Sequence, residues 1–125
     1  MTKRVLIAED EPNIVESLSF LLERAGYDVA VVSDGKSALD TALSDTPDVM
    51  ILDVMLPELD GYEILRRVRV DQNAGRLPVL MLTAKGQKED RETALACGAD
   101  LFITKPFANS DIIEAVAQLA GRSSA

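Results

Sequence analysis

Short apolar runs that end on acidic or hydroxyl residues recur along this chain, and they alternate with segments whose apolar residues repeat at helical spacing. Val5-Leu6-Ile7-Ala8 reads as a buried strand closing on Glu9 and Asp10. Asp10-Glu11-Pro12 then sets an acidic cap and a first-turn proline ahead of Ile14, Leu18, Leu21, Leu22 and Ala25, which share one helical face until Gly26 stops the helix. Val29 to Val32 predicts a second strand, Ser33-Asp34-Gly35 its turn, and Ser37 to Leu43 a helix with Ala38, Ala42 and Leu43 inward. Asp48 to Asp53 predicts a central strand, because Val49-Met50-Ile51-Leu52 is apolar on both faces, as a parallel strand covered by helices on both sides must be.

A third helix after Pro57 carries Ile64, Leu65 and Val68 and leaves through the polar stretch Asp71 to Gly75. Leu77 to Thr83 predicts the fourth strand, and Lys88 to Cys97 a helix whose apolar stripe is poor and whose anchorage is therefore the weakest. Asp100 to Thr104 predicts a short fifth strand, and Asn109 to Leu119 a last helix with Ile112, Ile113, Val116 and Leu119 inward. Five strands alternating with five helices imply an α/β fold, a doubly wound parallel sheet with right-handed crossovers. A length of 125 residues suits one domain, expected over 1–121, with 122–125 a frayed tail or the start of a linker.

Charge narrows the classes of partner. A net charge of -8 would repel a polyanion, so direct nucleic-acid binding is not expected. Arg66, Arg67 and Arg69 form the best basic cluster, and their helical spacing reads as a solvated helix face. The single Cys97 allows neither an internal disulfide nor a zinc spacing, and it reads as a small buried residue at a helix end in a reducing compartment. Val5 to Ala8 is too short for a signal-peptide core and no run reaches membrane-spanning length, which points to the cytoplasm and away from membranes.

Ligands of open α/β sheets bind beyond the carboxyl ends of the strands, where Glu9, Asp10, Asp53, Thr83 and Lys105 all fall. Magnesium takes hard oxygen ligands and keeps several waters, so Asp10 and Asp53 suffice as direct ligands, with Glu9 acting through water or as a supporting charge. Asp53 is placed to attack phosphorus as a carboxylate nucleophile. Thr83 and Lys105 can then hydrogen-bond and neutralise the phosphoryl oxygens. Taken singly, Thr83 is an ordinary β-branched strand residue and Lys105 a surface lysine; their shared position at the strand tips carries the reading.

The acidic pair in Ala8-Glu9-Asp10-Glu11, the run Asp53-Val54-Met55-Leu56-Pro57 with Asp60-Gly61, then Thr83-Ala84 and Lys105-Pro106-Phe107, resemble the receiver domain of bacterial two-component response regulators, of the chemotaxis-regulator kind, over nearly the whole chain. The resemblance implies the flavodoxin-like strand order 2-1-3-4-5 and a cis peptide at Lys105-Pro106. It implies that Asp53 takes a phosphoryl group from a sensor histidine kinase or phosphotransfer protein. Magnesium (or manganese) would be held by Glu9, Asp10, Asp53 and the Met55 carbonyl, and Thr83, Ala84 and Lys105 would stabilise the phosphoryl group. Thr83 and Phe102 would form the switch, although Phe102 lacks the hydroxyl of tyrosine-bearing members and is equally a core-packing residue. The face of helix 4, strand 5 and helix 5 would be the output surface, toward a twin receiver or an output domain. Met55 and Lys85, at positions that tune dephosphorylation in the family, supply no acid, which implies a phosphorylated state that is not unusually short-lived.

Rival readings meet specific obstacles. A haloacid-dehalogenase-type phosphohydrolase wants a second aspartate two residues after its nucleophile, where Met55 stands. A flavin carrier needs phosphate-binding donors where this chain has Glu9 and Asp10. No Gly-rich Walker loop is present, and with no histidine the chain cannot be the histidine-phosphorylating partner. A phosphorylation-independent scaffold that keeps the receiver fold is the remaining alternative, and the intact set Asp10, Asp53, Thr83 and Lys105 argues against it.

Overall fold

The structure is a computed structural model that describes residues 2–84 and 88–122. Strands β1 (Arg4–Ala8), β2 (Asp28–Val32), β3 (Val49–Asp53), β4 (Val79–Thr83) and β5 (Leu101–Thr104) alternate with helices α1 (Pro12–Arg24), α2 (Gly35–Ser44), α3 (Gly61–Val70), α4 (Lys88–Ala96) and α5 (Asn109–Arg122). The strands form one sheet in the order β2-β1-β3-β4-β5, and every neighbouring pair is parallel. This is the doubly wound, flavodoxin-like arrangement expected from the strand-helix alternation and the family resemblance.

Alternation along the strands divides the core into two layers. Leu6, Ala8, Met50, Leu52, Val79 and Met81 face α2, α3 and α4, where they meet Ala38, Leu39, Ala42, Ile64, Leu65, Val68 and Ala94. Val5, Ile7, Val49, Ile51, Leu80 and Leu82 face the other way and pack on Leu18 and Leu22 of α1 and on Ile112, Ala115, Val116 and Leu119 of α5. All five residues of β3 and all five of β4 are buried, as central strands require, whereas the edge strand β2 exposes Ala30 and Val31.

Helix boundaries follow local capping chemistry. Asp34 accepts the Ser37 amide and starts α2 at Gly35, two residues earlier than the apolar pattern implied. That start puts Gly35, Ala38, Leu39 and Ala42 on the inner stripe, so Leu39 is buried and Leu43, expected inward, is exposed. Ala25 is likewise exposed, because it is the C-cap of α1 where the chain leaves the inner face, and Gly26 follows with φ 99°. Glu11 makes no side-chain cap; Pro12 opens α1 as expected. Helix α5 runs to Arg122, past the expected end at Leu119, and residues 123–125 of the expected tail lie outside the described residues.

Two polar readings need correction. Arg69 does not join Arg66 and Arg67 on the solvated face: it donates to the carbonyls of Gly98 (2.9 Å), Gly75 (3.2 Å) and Leu77 (2.6 Å) and pairs with Asp100 at 2.9 Å. It comes off the last turn of α3 and gathers three carbonyls from the connections that enter β4 and leave α4. Cys97 is only half-buried, because α4 ends at the rim, and its sulfur lies 3.3 Å from a guanidinium nitrogen of Arg66. The thin apolar stripe of α4 is as expected, with Ala94 its buried side chain among the described residues.

Candidate functional site

Glu9, Asp53 and Lys105 each lie two residues beyond a side chain of the α1/α5 layer, namely Ile7, Ile51 and Ile103, and so continue one alternation onto the same side of the sheet's carboxyl edge. Thr83 continues the opposite layer, two residues beyond Met81. The ladder persists past the strand ends, with the Glu9 amide donating to Val32 O, Val54 to Leu82 O and Lys105 to Thr83 O. Those bonds fix where each functional side chain leaves the sheet.

Glu9, Asp10 and Asp53 offer carboxylate oxygens that all lie within 4.8 Å of one another. Asp10 is exposed, while Glu9 is wholly buried and Asp53 is 4% exposed. Glu9 Oε2 accepts from the amides of Asp10 and Glu11 at 3.1 Å each. Glu9 Oε1 lies 2.8 Å from Lys105 Nζ in an ion pair whose alignment is not that of a hydrogen bond. The same ammonium is 3.4 Å from Asp53 Oδ2, and the Met55 amide donates to Asp53 Oδ1 at 3.3 Å.

Burial pushes the Asp53 carboxyl up to about 6, and the neighbouring Glu9 charge, with a hydrogen bond between the two carboxyls, pushes the same way; Lys105 and the Met55 amide pull it back. For Lys105, burial disfavours the ammonium, but Glu9 and Asp53 outweigh it and the net shift is upward. Three carboxylates with oxygens crowded this closely fit a hard divalent cation.

The residues expected at the site are thus brought together, with differences in detail. Met55 exposes its side chain, leaving its backbone to face Asp53. Thr83 is buried at the tip of β4, and Ala84 beside it is exposed. Phe102 packs half-buried against the layer of α3 and α4, and pairs in register with Met81. The Lys105-Pro106 peptide is cis. Lys85 lies outside the described residues. Gly61, named with Asp60 among the residues that carry the resemblance, stands where a Cβ would come within 2.5 Å of the Asp53 carbonyl oxygen, a close approach that the motif alone did not reveal.

Comparison with known proteins gives one consistent result. The model of the response regulator receiver domain family matches residues 5–117. The chain is 44% identical over 123 residues to the alkaline phosphatase synthesis transcriptional regulatory protein PhoP of Bacillus subtilis, covering 98% of this chain and 50% of that protein. It is 41% identical over 120 residues to the DNA-binding dual master transcriptional regulator RpaA of Synechocystis, covering 96% of this chain and 50% of that protein. The chain therefore spans about half the length of these curated relatives. Among solved structures, the receiver domain of the sensor histidine kinase PA1611 from Pseudomonas aeruginosa, with magnesium coordinated in its active site cleft, superposes with a TM-score of 0.89 at 31% identity, covering 97% of this chain and 99% of that one.

Proposed function

Because this chain belongs to the response regulator receiver domain family, whose members serve phosphorylation-activated signalling in two-component systems rather than metabolic catalysis, we propose that Asp53 is its phosphoacceptor. The observation that carries the proposal is the convergence of the Glu9, Asp10 and Asp53 oxygens within 4.8 Å, with the Lys105 ammonium beside two of them. An Asp53 oxygen attacks the phosphorus of a phosphohistidine on a sensor histidine kinase or phosphotransfer protein. The P–N bond breaks as the O–P bond forms, its electron pair stays on the imidazole, and Asp53 becomes an acyl phosphate.

Asp10, Asp53 and the Met55 carbonyl are the ligands we assign to magnesium or manganese, with Glu9 as a supporting charge. Its Oε2 is already engaged by two amides and its Oε1 by Lys105, which favours that indirect role. When bound, the ion would neutralise charge on the carboxylates and the phosphoryl oxygens. Thr83 donates its hydroxyl to one phosphoryl oxygen, the Ala84 amide to another, and Lys105 neutralises a third.

Output follows by population shift: a conformer in which Thr83, Phe102 and the thinly anchored α4 have moved gains interactions with the phosphoryl group that its rival lacks. The changed surface of α4, β5 and α5 then meets a twin receiver or an output domain, in the cytoplasm. The relatives PhoP and RpaA are transcriptional regulators about twice as long as the matched segment, which supports an output of that kind joined to a chain such as this. Among the described residues no helix is long and apolar enough to cross a membrane.

Incubation with magnesium and acetyl phosphate, followed by intact mass measurement, tests the assignment. One added phosphoryl mass is expected, absent in Asp53→Asn. No addition to the wild type, or addition that persists in the variant, leaves the scaffold reading in its place.

A further inference from the structure

Helix α2 contributes no side chain to the acidic site, yet its first residue touches the loop that follows Asp53. The Pro57 carbonyl accepts two amides at 2.9 Å, one from Leu59 within the loop and one from Gly35 at the start of α2. The Leu59 bond spans two residues, and the residue between, Glu58, has φ 72°, so residues 57–59 form a γ-turn of the strained hand. Gly35 closes on it so tightly that an added Cβ would overlap the Leu59 carbonyl oxygen, and would lie 2.8 Å from its carbonyl carbon. These are backbone atoms with no flexible end to retreat.

The far end of the loop is held as firmly. The Gly61 amide donates to Val54 O at 2.9 Å, and a Cβ on Gly61 would lie 2.9 Å from Val54 Cα. Between these fixed ends lies Met55, whose amide meets Asp53 Oδ1. Asp34 anchors the α2 side by accepting both the amide and the hydroxyl of Ser37 at 2.8 Å.

We propose that Gly35 is a positioning residue for the metal and phosphoryl site: by holding the strained turn at Glu58 against α2, it sets where the Met55 carbonyl points. The proposal rests on the assignment of Met55 and the carboxylates as magnesium ligands. A backbone carbonyl cannot adjust through rotamers, so the loop path alone decides its aim. Strain at Glu58 persists because two amides on one carbonyl over-determine it.

Magnesium titration by calorimetry, on the full chain well below its unfolding temperature, tests this. Gly35→Ala is expected to raise the magnesium Kd more than threefold while Ala42→Gly, a destabilising change at the other end of α2, leaves it within threefold. Glu58→Gly supplies a second route that does not crowd the fold. Relief of the positive φ raises its thermal midpoint above that of Glu58→Gln, while the freed loop raises its magnesium Kd more than threefold above the same charge-matched control. Stability and affinity moving in opposite directions is a result that a purely structural turn would not give. A folded Gly35→Ala with Kd within threefold of wild type, or Glu58→Gly binding as tightly as Glu58→Gln, overturns the proposal; if Gly35→Ala does not fold, the Glu58 pair decides. Failure of the wild type to bind magnesium would instead overturn the underlying assignment.

Discussion

Glu9 Oε1 lies 2.8 Å from the Lys105 ammonium, and the glutamate is wholly buried. Removing the lysine therefore strands a buried carboxylate with Asp53 beside it. Lys105→Met is expected to lose about 3 kcal/mol of stability in metal-free buffer, the cost of breaking a buried pair from one side. Urea unfolding with and without magnesium checks this, and the loss should shrink when the cation replaces the missing charge.

Asp53 gives the metal-free protein a particular pH dependence. Its carboxyl is held at about 6 in the fold against 3.8 for the free group, chiefly by burial and by the Glu9 charge. The folded state therefore binds more protons than the unfolded chain between these values, so stability falls as pH rises through that window. The loss is on the order of a few kcal/mol and is complete about one unit above the folded value. Asp53→Asn should lack this component and be the more stable protein at pH 7, as chemical unfolding at pH 4, 5, 6 and 7 will show.

Magnesium should reverse the penalty. A ligand that binds only the folded state stabilises by about 2.7 kcal/mol at a hundredfold excess over its Kd. The thermal midpoint should rise with magnesium in wild type, rise less at pH 5 than at pH 8, and stay flat in Asp53→Asn. A midpoint shift of equal size in the variant would contradict the ligand assignment.

Arg69 is expected to matter for stability rather than chemistry. Its guanidinium satisfies the carbonyls of Gly75, Leu77 and Gly98 together with Asp100, and it is largely buried. Arg69→Ala should cost about 3 kcal/mol, from several partners left unpaired at once. Arg69→Lys should recover little, since an ammonium cannot span the same fork. Acetyl-phosphate labelling of whatever fraction remains folded should proceed as in wild type.

Phosphorylation, or a phosphomimetic such as beryllofluoride, should alter amide exchange within residues 84–107. Unchanged exchange there would end the switching model, whatever the mass measurement shows.

Much of this was legible in the chain. The runs around Leu6, Ile51 and Leu80 declare their strands because burial on both faces demands continuous apolar sequence, and the acids and Thr83 stand at their ends. Capping shifted the start of α2 and exchanged Leu43 for Leu39, an error of phase that an apolar count cannot detect. Arg69 and Gly35 escaped because their roles depend on backbone atoms far along the chain, and no periodicity records a carbonyl waiting 29 residues away, as Gly98 waits for Arg69. The place of Glu9 beside Asp10 at the tip of β1 was visible, but its grip on the Asp10 and Glu11 amides was not.

The alternation that brings Glu9 and Asp53 onto one side of the sheet edge has a consequence for how this chain can vary. Exchanges among apolar residues within Val49 to Leu52 keep the count of residues to Asp53 and leave its carboxylate aimed where it is. Deleting a single one of them would carry the aspartate across to the α3 layer, away from Lys105, with the composition of the strand almost intact. Insertions and deletions are thereby better tolerated in the connections at the opposite, amino-terminal edge of the sheet, where a change of length leaves the aim of the site's side chains unchanged.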